Sequence, residues 1–163
     1  MIQRQRADVK TILYFPEVPD ELDDVTSWQP RDSLNFGVHV QILAGMSDET
    51  AADSFDILVC SPTWFAAHWQ QSTYSPDRLP GGVIAGRRVW FMDRWDPEVF
   101  QRAIENVLDL TTAGSWGDIA NRLGRYAPWE YDYRYDRAQD ELAGLSPIDY
   151  PEVEGADPSS SVE

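Results

Sequence analysis

The chain is poor in the residues that hold structure covalently or through metals. It contains one cysteine, Cys60, and two histidines, His39 and His68, in 163 residues. A single cysteine excludes an intramolecular disulfide and any cysteine-rich zinc site. Cations are scarce as well: 13 Lys and Arg face 28 Asp and Glu, for a net charge of −15. Nucleic-acid binding draws much of its affinity from cations meeting phosphates, so that class is excluded. Long apolar runs are also missing. The longest, ILVC at 57–60 and VWFM at 89–92, fall far short of a membrane span. The N-terminal MIQRQRADVKTILYF is basic but has neither the apolar stretch nor the small-residue cleavage site of a secretory signal. These absences predict a soluble cytoplasmic protein that binds neither nucleic acid nor membrane.

What the chain does have is apolar and aromatic mass. Hydrophobic residues make up 42%, and seven Trp, seven Tyr and six Phe are enough to fill the core of a single domain. The acidity is local. EVPDELDD at 17–24 holds five acids and no base, and 138–163 holds seven acids (Asp140, Glu141, Asp149, Glu152, Glu154, Asp157, Glu163) and no base; the remainder is close to neutral at −3. A charge distribution of this kind suits a basic protein partner. From Gly144 onward three prolines, several serines and unbalanced acid predict disorder. The domain division expected is a single α+β domain over 1–137 and an acidic C-terminal tail over 138–163.

VKTILYF at 9–15 predicts a first strand ended by Pro16, followed by a loop over 16–32 in which Pro19 and Pro30 oppose regular structure. SLNFGVHVQILAGM at 33–46 places Leu34, Phe36, Val38, Val40, Ile42, Ala44 and Met46 on one face and Ser33, Asn35, His39 and Gln41 on the other, a long half-buried strand. SFDILVC at 54–60 alternates again after a short polar turn, which predicts an antiparallel hairpin. Ser61 and Pro62 then read as the N-cap and first position of a helix, with Phe65 and Trp69 on one face. Residues 74–82 read as a loop and GRRVWFMDRW at 86–95 as a strand. Asp96, Pro97 and Glu98 open a helix with an apolar stripe of Val99, Phe100, Ala103, Ile104, Val107 and Leu108. Ser115 and Asp118 form a capping box for a third helix with Trp116, Ile119, Ala120, Leu123 and Tyr126 inward. WEYDYRYD at 129–136 alternates aromatic and charged residues, as a last strand would. The order predicts a two-layer α+β domain, a mostly antiparallel sheet with about three helices packed on one face.

The chemistry-bearing fragments have simpler readings. GGVIAGRR at 81–88 lacks the Lys-Ser/Thr of a phosphate loop and leads into a strand, so it is a turn. AGSWGD at 113–118 lacks the first glycine of a nucleophile elbow, and helix capping accounts for Ser115. The acids of 17–24 lack the glycine and spacing of a calcium loop, and no histidine spacing suits a metal. Cys60 and His68 suggest a nucleophile and base without a third group to orient the imidazole; the simpler reading is a buried thiol and a histidine packed beside Trp64. No cofactor, metal or catalytic residue is expected, and the profile is that of a binding protein.

In this order the segments NFGVHVQILAG, SFDILVCSPTWF, RRVWFMDRWD and SWGDIANRLGRYAPWEYDY resemble the immunity protein 8 family of bacterial polymorphic toxin systems. The closest parts are VCSPTW and a terminal pattern carried by Trp116, Ile119, Leu123, Arg125, Tyr126, Trp129 and Glu130; the resemblance spans about residues 33–135. It implies a protein that binds and neutralises a cognate toxin, and it brings no catalytic residues with it. A basic toxin such as a nuclease fits the charge, with acidic loops speeding encounter and aromatic and Arg side chains holding the complex. The interface expected on this basis contains Glu130, Asp132, Tyr133, Arg134 and Tyr135, with Asp20, Asp23 and Asp24 as a steering rim. The rival readings are a small enzyme using Cys60 and His68 and an adaptor with an unrelated partner. A free sheet edge leaves both monomer and homodimer open.

Overall fold

A computed structural model describes residues 3–16, 22–69, 78–79, 83–132 and 141–144. The chain divides into two compact units, 1–132 and 133–163. In the second, the described residues Glu141–Gly144 form a short helical turn in which Gly144 takes a φ of 70°. The predicted boundary at 137/138, and the tail apart from Glu141–Gly144, lie outside the described residues.

The first unit is built on a four-stranded sheet ordered β1-β4-β5-β8: β1 (Ala7–Pro16), β4 (Gly37–Met46), β5 (Asp53–Cys60) and β8 (Val89–Phe91). β4 pairs antiparallel with both neighbours, Ile42 standing opposite Ile12 of β1 and Phe55 of β5. The expected hairpin is therefore present. β8 joins β5 in parallel, Val59 beside Trp90. It is shorter than the strand expected over 86–95. Gly86–Arg88 coil into a 3-10 turn, and beyond Met92, whose N–H still donates to Cys60 O at 3.0 Å, the backbone bonds elsewhere, Trp95 N–H donating to Ser33 O at 2.7 Å.

Among the described residues of this unit three helices accompany the sheet: α1 (Pro62–His68), α2 (Pro97–Leu110) and α3 (Trp116–Leu123). Each begins where its cap predicts. Ser61 Oγ accepts from Trp64 N–H, Asp96 from Glu98 and Val99 N–H, and Ser115 from Asp118 N–H. The fold is thus the α+β arrangement expected, with α2 and α3 as its helical layer. Phe100, Ile104 and Leu108 of α2 and Ile119, Ala120 and Leu123 of α3 bury against Val38, Val40, Ile42, Phe55, Ile57 and Val59. Tyr126, expected on the inward face of α3, lies past its end and is exposed, while its carbonyl accepts from Trp90 Nε1 at 2.9 Å.

Expected on the same face as the other two helices, α1 instead packs on the opposite face of the sheet, because Trp64 has its apolar partners there in Leu58 and Cys60. Strand alternation turns Leu58 and Cys60 away from Ile57 and Val59, and those two residues form a separate cluster with Trp64, Phe65 and Val89. Gly37, opposite Cys60, makes room for the indole: a Cβ there would come within 2.4 Å of Trp64.

The expected loop over 16–32 contains a small antiparallel pair, β2 (Leu22–Asp24) and β3 (Ser27–Trp28), and a second such pair, β6 (Arg78–Leu79) and β7 (Val83–Ile84), stands within the glycine-rich region. The reason for the first is aromatic. Trp28 is buried with Tyr14, Phe36, Trp95 and Phe100, its ring meeting Trp95 edge-on at 4.8 Å and stacking near Tyr14 at 6.4 Å. Tyr14 N–H donates to Val25 O at 2.7 Å, tying the turn of the pair to β1.

Two glycines give opposite expectations. Gly37→Ala forces the Trp64 indole off the sheet and is expected to lower unfolding free energy by about 1–3 kcal/mol. Gly117 of α3 has nothing within 4 Å of its hypothetical Cβ, and Gly117→Ala is expected to raise stability by about 0.4–1 kcal/mol. Urea unfolding of both variants measures the difference; a tolerated Gly37→Ala contradicts the packing of α1.

Candidate functional site

The helical layer covers one side of the sheet, and α1 covers only the end of the other that Gly37, Leu58 and Cys60 share. On the part that no described helix covers, strand register sets Phe15 beside His39, His39 beside Leu58, and Gln41 beside Asp56. A depression of about 260 Å3 opens there, lined by Phe15, His39, Val40, Asp56, Ile57, Leu58 and Arg88. Phe15 at 40% and Phe91 at 54% are exposed aromatic rings on this side; the Phe91 ring meets Phe65 of α1 edge-on at 5.3 Å. Exposed aromatics around a partly buried polar centre are the usual make-up of a protein-binding surface.

The polar centre is electrostatically unusual. Burial pushes the His39 imidazole down to about 4, so it is neutral at physiological pH. Burial also raises the Asp56 carboxyl; the Ser54 hydroxyl, the positive charge of Arg88 and the Gln41 side chain pull it the other way, and Glu130 adds to the rise. Ser54 Oγ donates to Asp56 Oδ2 at 3.3 Å. The net effect of these surroundings is to disfavour the carboxylate. Ionisable side chains that burial and charged neighbours perturb together, set in a concavity, mark a candidate site.

The end of the first unit is fastened to the start of β5. The indole N–H groups of Trp116 and Trp129 both donate to Asp53 Oδ2, at 2.8 and 2.9 Å. Trp129 bridges Phe55, Asp56 N–H donates to Pro128 O at 3.2 Å, and Glu130 N–H donates to Ser54 O at 3.0 Å. The last strand expected over 129–136 goes no further than this bridge in the described residues. The Glu130 carboxylate accepts Ser54 N–H at 2.7 Å, occupying the donor that a longer ladder would use. The backbone then turns, with Asp132 N–H donating to Trp129 O at 3.0 Å. The Trp129 and Tyr131 rings meet edge-on at 5.6 Å.

With this geometry in place, the terminal pattern of the sequence has a physical meaning: Trp116, Trp129 and Glu130 converge on Asp53 and Ser54, and Ile119 and Leu123 fill the core between. Residues 14–133 match the family described as Immunity protein 8. The chain belongs to the immunity protein 8 family. The match begins in β1 and so includes the acidic segment 17–24, which the resemblance over 33–135 left out. No curated protein and no solved structure matches the chain.

Of the interface residues expected for this immunity protein 8 family member, Glu130 and Asp132 stand together at the turn after Trp129, where Asp132 pairs with Arg87. Asp24 is exposed in β2, far along the chain, and its carboxylate accepts from Thr26 N–H at 2.9 Å. Asp23 belongs to the same strand. Asp20, Tyr133, Arg134 and Tyr135 lie outside the described residues. Sequence reasoning passed over Phe15, Asp53 and Asp56. The only signal available was parity: Asp56 falls on the alternate positions of β5, as His39 does on β4.

The rival enzyme reading rested on Cys60 and His68. Cys60 is fully buried and burial pushes its thiol up to about 12, so it is held protonated. The His68 ring stacks on Trp64 at 4.6 Å with Nδ1 2.8 Å from Trp64 O, and no hydrogen bond joins it to Cys60. A thiolate nucleophile is not generated by such surroundings. Among the described residues no three His, Cys, Asp or Glu side chains group as metal ligands, and no helix is long and apolar enough to cross a membrane.

The two perturbed groups of the depression act oppositely on stability. The folded His39 gives up its proton near 4 and an unfolded one near 6.5, so between these values only the unfolded chain holds the proton. Stability is therefore present above the higher value and lost as pH falls toward the lower. For Asp56 the folded value lies above the ordinary 3.8, so its burial penalty fades as pH falls through the raised value. In urea unfolding the protein is expected to lose up to about 3 kcal/mol through His39 over its window, and His39→Gln is expected to lose that component of the slope. Identical pH profiles for the two proteins contradict the burial of His39.

Proposed function

We propose that this protein is a cytoplasmic immunity protein that binds a cognate polymorphic toxin and neutralises it by stoichiometric association. The observation that carries the reading is the family match over 14–133, which takes in almost all of the first compact unit. The uncovered sheet face supports it, because its exposed Phe15 and Phe91 offer a partner apolar area beside a polar centre. The overall charge of −15 favours a basic toxin, a nuclease domain being the chemistry that best complements it.

In this reading the face holds the complex and the acids steer it. Glu130 and Asp132, with Tyr133, Arg134 and Tyr135 after them, border the toxin contact, and Asp20, Asp23 and Asp24 form an outer acidic rim. Charge complementarity of this kind acts chiefly on association rate.

Co-expression with the toxin encoded beside the gene tests the proposal. The expected outcome is survival of the host and a co-purifying one-to-one complex. Failure to protect against any neighbouring toxin, with no complex recovered, contradicts it.

A further inference from the structure

The depression on the uncovered face has a size, a wall and a charge that together select an occupant. Its volume of about 260 Å3 is below the ~300–1,000 Å3 of pockets that enclose a drug-sized ligand or cofactor. A single inserted side chain suits it better. The wall combines an exposed aromatic ring, Phe15, with apolar Leu58, the polar Asp56 and His39, and the guanidinium of Arg88, while Val40 and Ile57 line it from strands whose side chains at those positions turn to the helical layer. Among the described residues, the charged groups acting on Asp56 are Arg88 and Glu130. Of these only Arg88 shares the wall with Asp56; Glu130, outside it, makes the groups around Asp56 two carboxylates against one guanidinium, and the neutral His39 adds no positive charge to oppose a cation.

We propose that this depression receives one arginine side chain of the toxin, its guanidinium donating to the Asp56 carboxylate and lying against the Phe15 ring. The proposal rests on the immunity reading and specifies its central contact. Arginine fits better than lysine for three reasons: its planar fork matches a carboxylate, its face stacks on an aromatic ring, and it sheds water more readily. A second copy of this chain is a poorer occupant, since it brings its own net charge of −15 to a negative site.

Asp56 itself supports the assignment. Burial of its carboxylate outweighs the groups that stabilise the charge, so the fold alone is better served by an uncharged residue of the same shape. A partner cation supplies the missing stabilisation on binding. Groups kept at the expense of stability are a common property of functional sites. The same reasoning separates a binding role from a structural one, because the two predict opposite changes in melting temperature when the charge is removed.

The experiment uses the full chain and a catalytically inactivated form of the toxin encoded by the adjacent gene, with binding followed in real time. Asp56→Asn is expected to weaken the complex about thirtyfold or more, mainly through faster dissociation, while its melting temperature at pH 7 equals or exceeds that of the unaltered protein. Phe15→Ala, on a residue already 40% exposed, is expected to weaken binding without loss of fold. Asp48→Asn removes the same charge from the exposed connection between β4 and β5 and is expected to stay within about twofold, as a surface charge remote from the site should. One toxin arginine is expected to show non-additivity with Asp56→Asn in a double-mutant cycle. Binding by Asp56→Asn within about twofold of the unaltered protein, or additivity for every toxin arginine, overturns the arginine site and leaves the immunity reading intact. Failure of the unaltered protein to bind the toxin overturns the immunity reading instead. A sedimentation result in which Asp56→Asn and Phe15→Ala turn a dimer into monomers assigns the face to a second copy and also overturns the proposal.

Discussion

The Asp53 carboxylate at the start of β5 accepts the indole N–H groups of both Trp116 and Trp129, and the placement of α3 and of the described segment up to Asp132 follows from that joint. One bond fixes the first turn of α3 and the other fixes the segment that closes the edge of β5. Hydrogen bonds to an ionised acceptor are about twice as strong as neutral ones, and two on one oxygen hold two separate stretches of chain to one point. With α3 anchored at its start, Ile119, Ala120 and Leu123 meet the sheet beside α2. The Glu130 side chain then takes Ser54 N–H and ends strand pairing. The terminal pattern that marks the family is therefore a clasp on the fold, with one acidic residue of β5 as its other half.

Committing α2 and α3 to one side of the sheet leaves α1 as the helix of the described residues on the other side, and α1 is only seven residues long. The Trp64 indole over Gly37 spreads its cover across the end of β4 and β5, and no further. The remaining surface carries Phe15, His39, Gln41 and Asp56 in adjacent register positions. Burial disfavours the charged form of both His39 and Asp56. A folded chain that holds such groups on its open face has a surface adapted to something other than its own stability. Family membership and this asymmetry lead independently to a binding protein.

Much of this architecture could be read in the sequence wherever a local signal was strong. Five of the seven alternating apolar positions over 33–46 fall in β4, while Leu34 and Phe36 precede it and Leu34 is exposed, and the Ser61–Pro62, Asp96–Pro97 and Ser115–Asp118 combinations marked the starts of α1, α2 and α3. What escaped reading depends on contacts distant in the chain. Trp28 draws an acidic, proline-flanked segment into a pair of short strands because Tyr14, Phe36 and Trp95 surround it. β8 pairs in parallel with β5 after a crossover, so its length is set by where β5 ends and not by its own alternation. The strand pattern at 129–136 is interrupted by a side chain, Glu130, whose acceptor role no periodicity displays. The side of the sheet that α1 covers follows from Gly37 and Cys60 facing each other, a register fact. The site was the least legible part, since a lone acid in a strand, such as Asp53 or Asp56, looks the same whether it clasps an indole, faces a partner or faces water.

The central claim is that the partner engages the uncovered sheet face and not the helical layer. Hydroxyl-radical footprinting of the protein alone and in complex with the toxin encoded beside it reads this directly. Phe15 and Phe91 report on the uncovered face, and Val99 and Leu110, exposed on α2, report on the other. The account predicts that Phe15 and Phe91 lose reactivity in the complex while Val99 and Leu110 keep theirs. Protection of Val99 and Leu110 with Phe15 and Phe91 unchanged would contradict it.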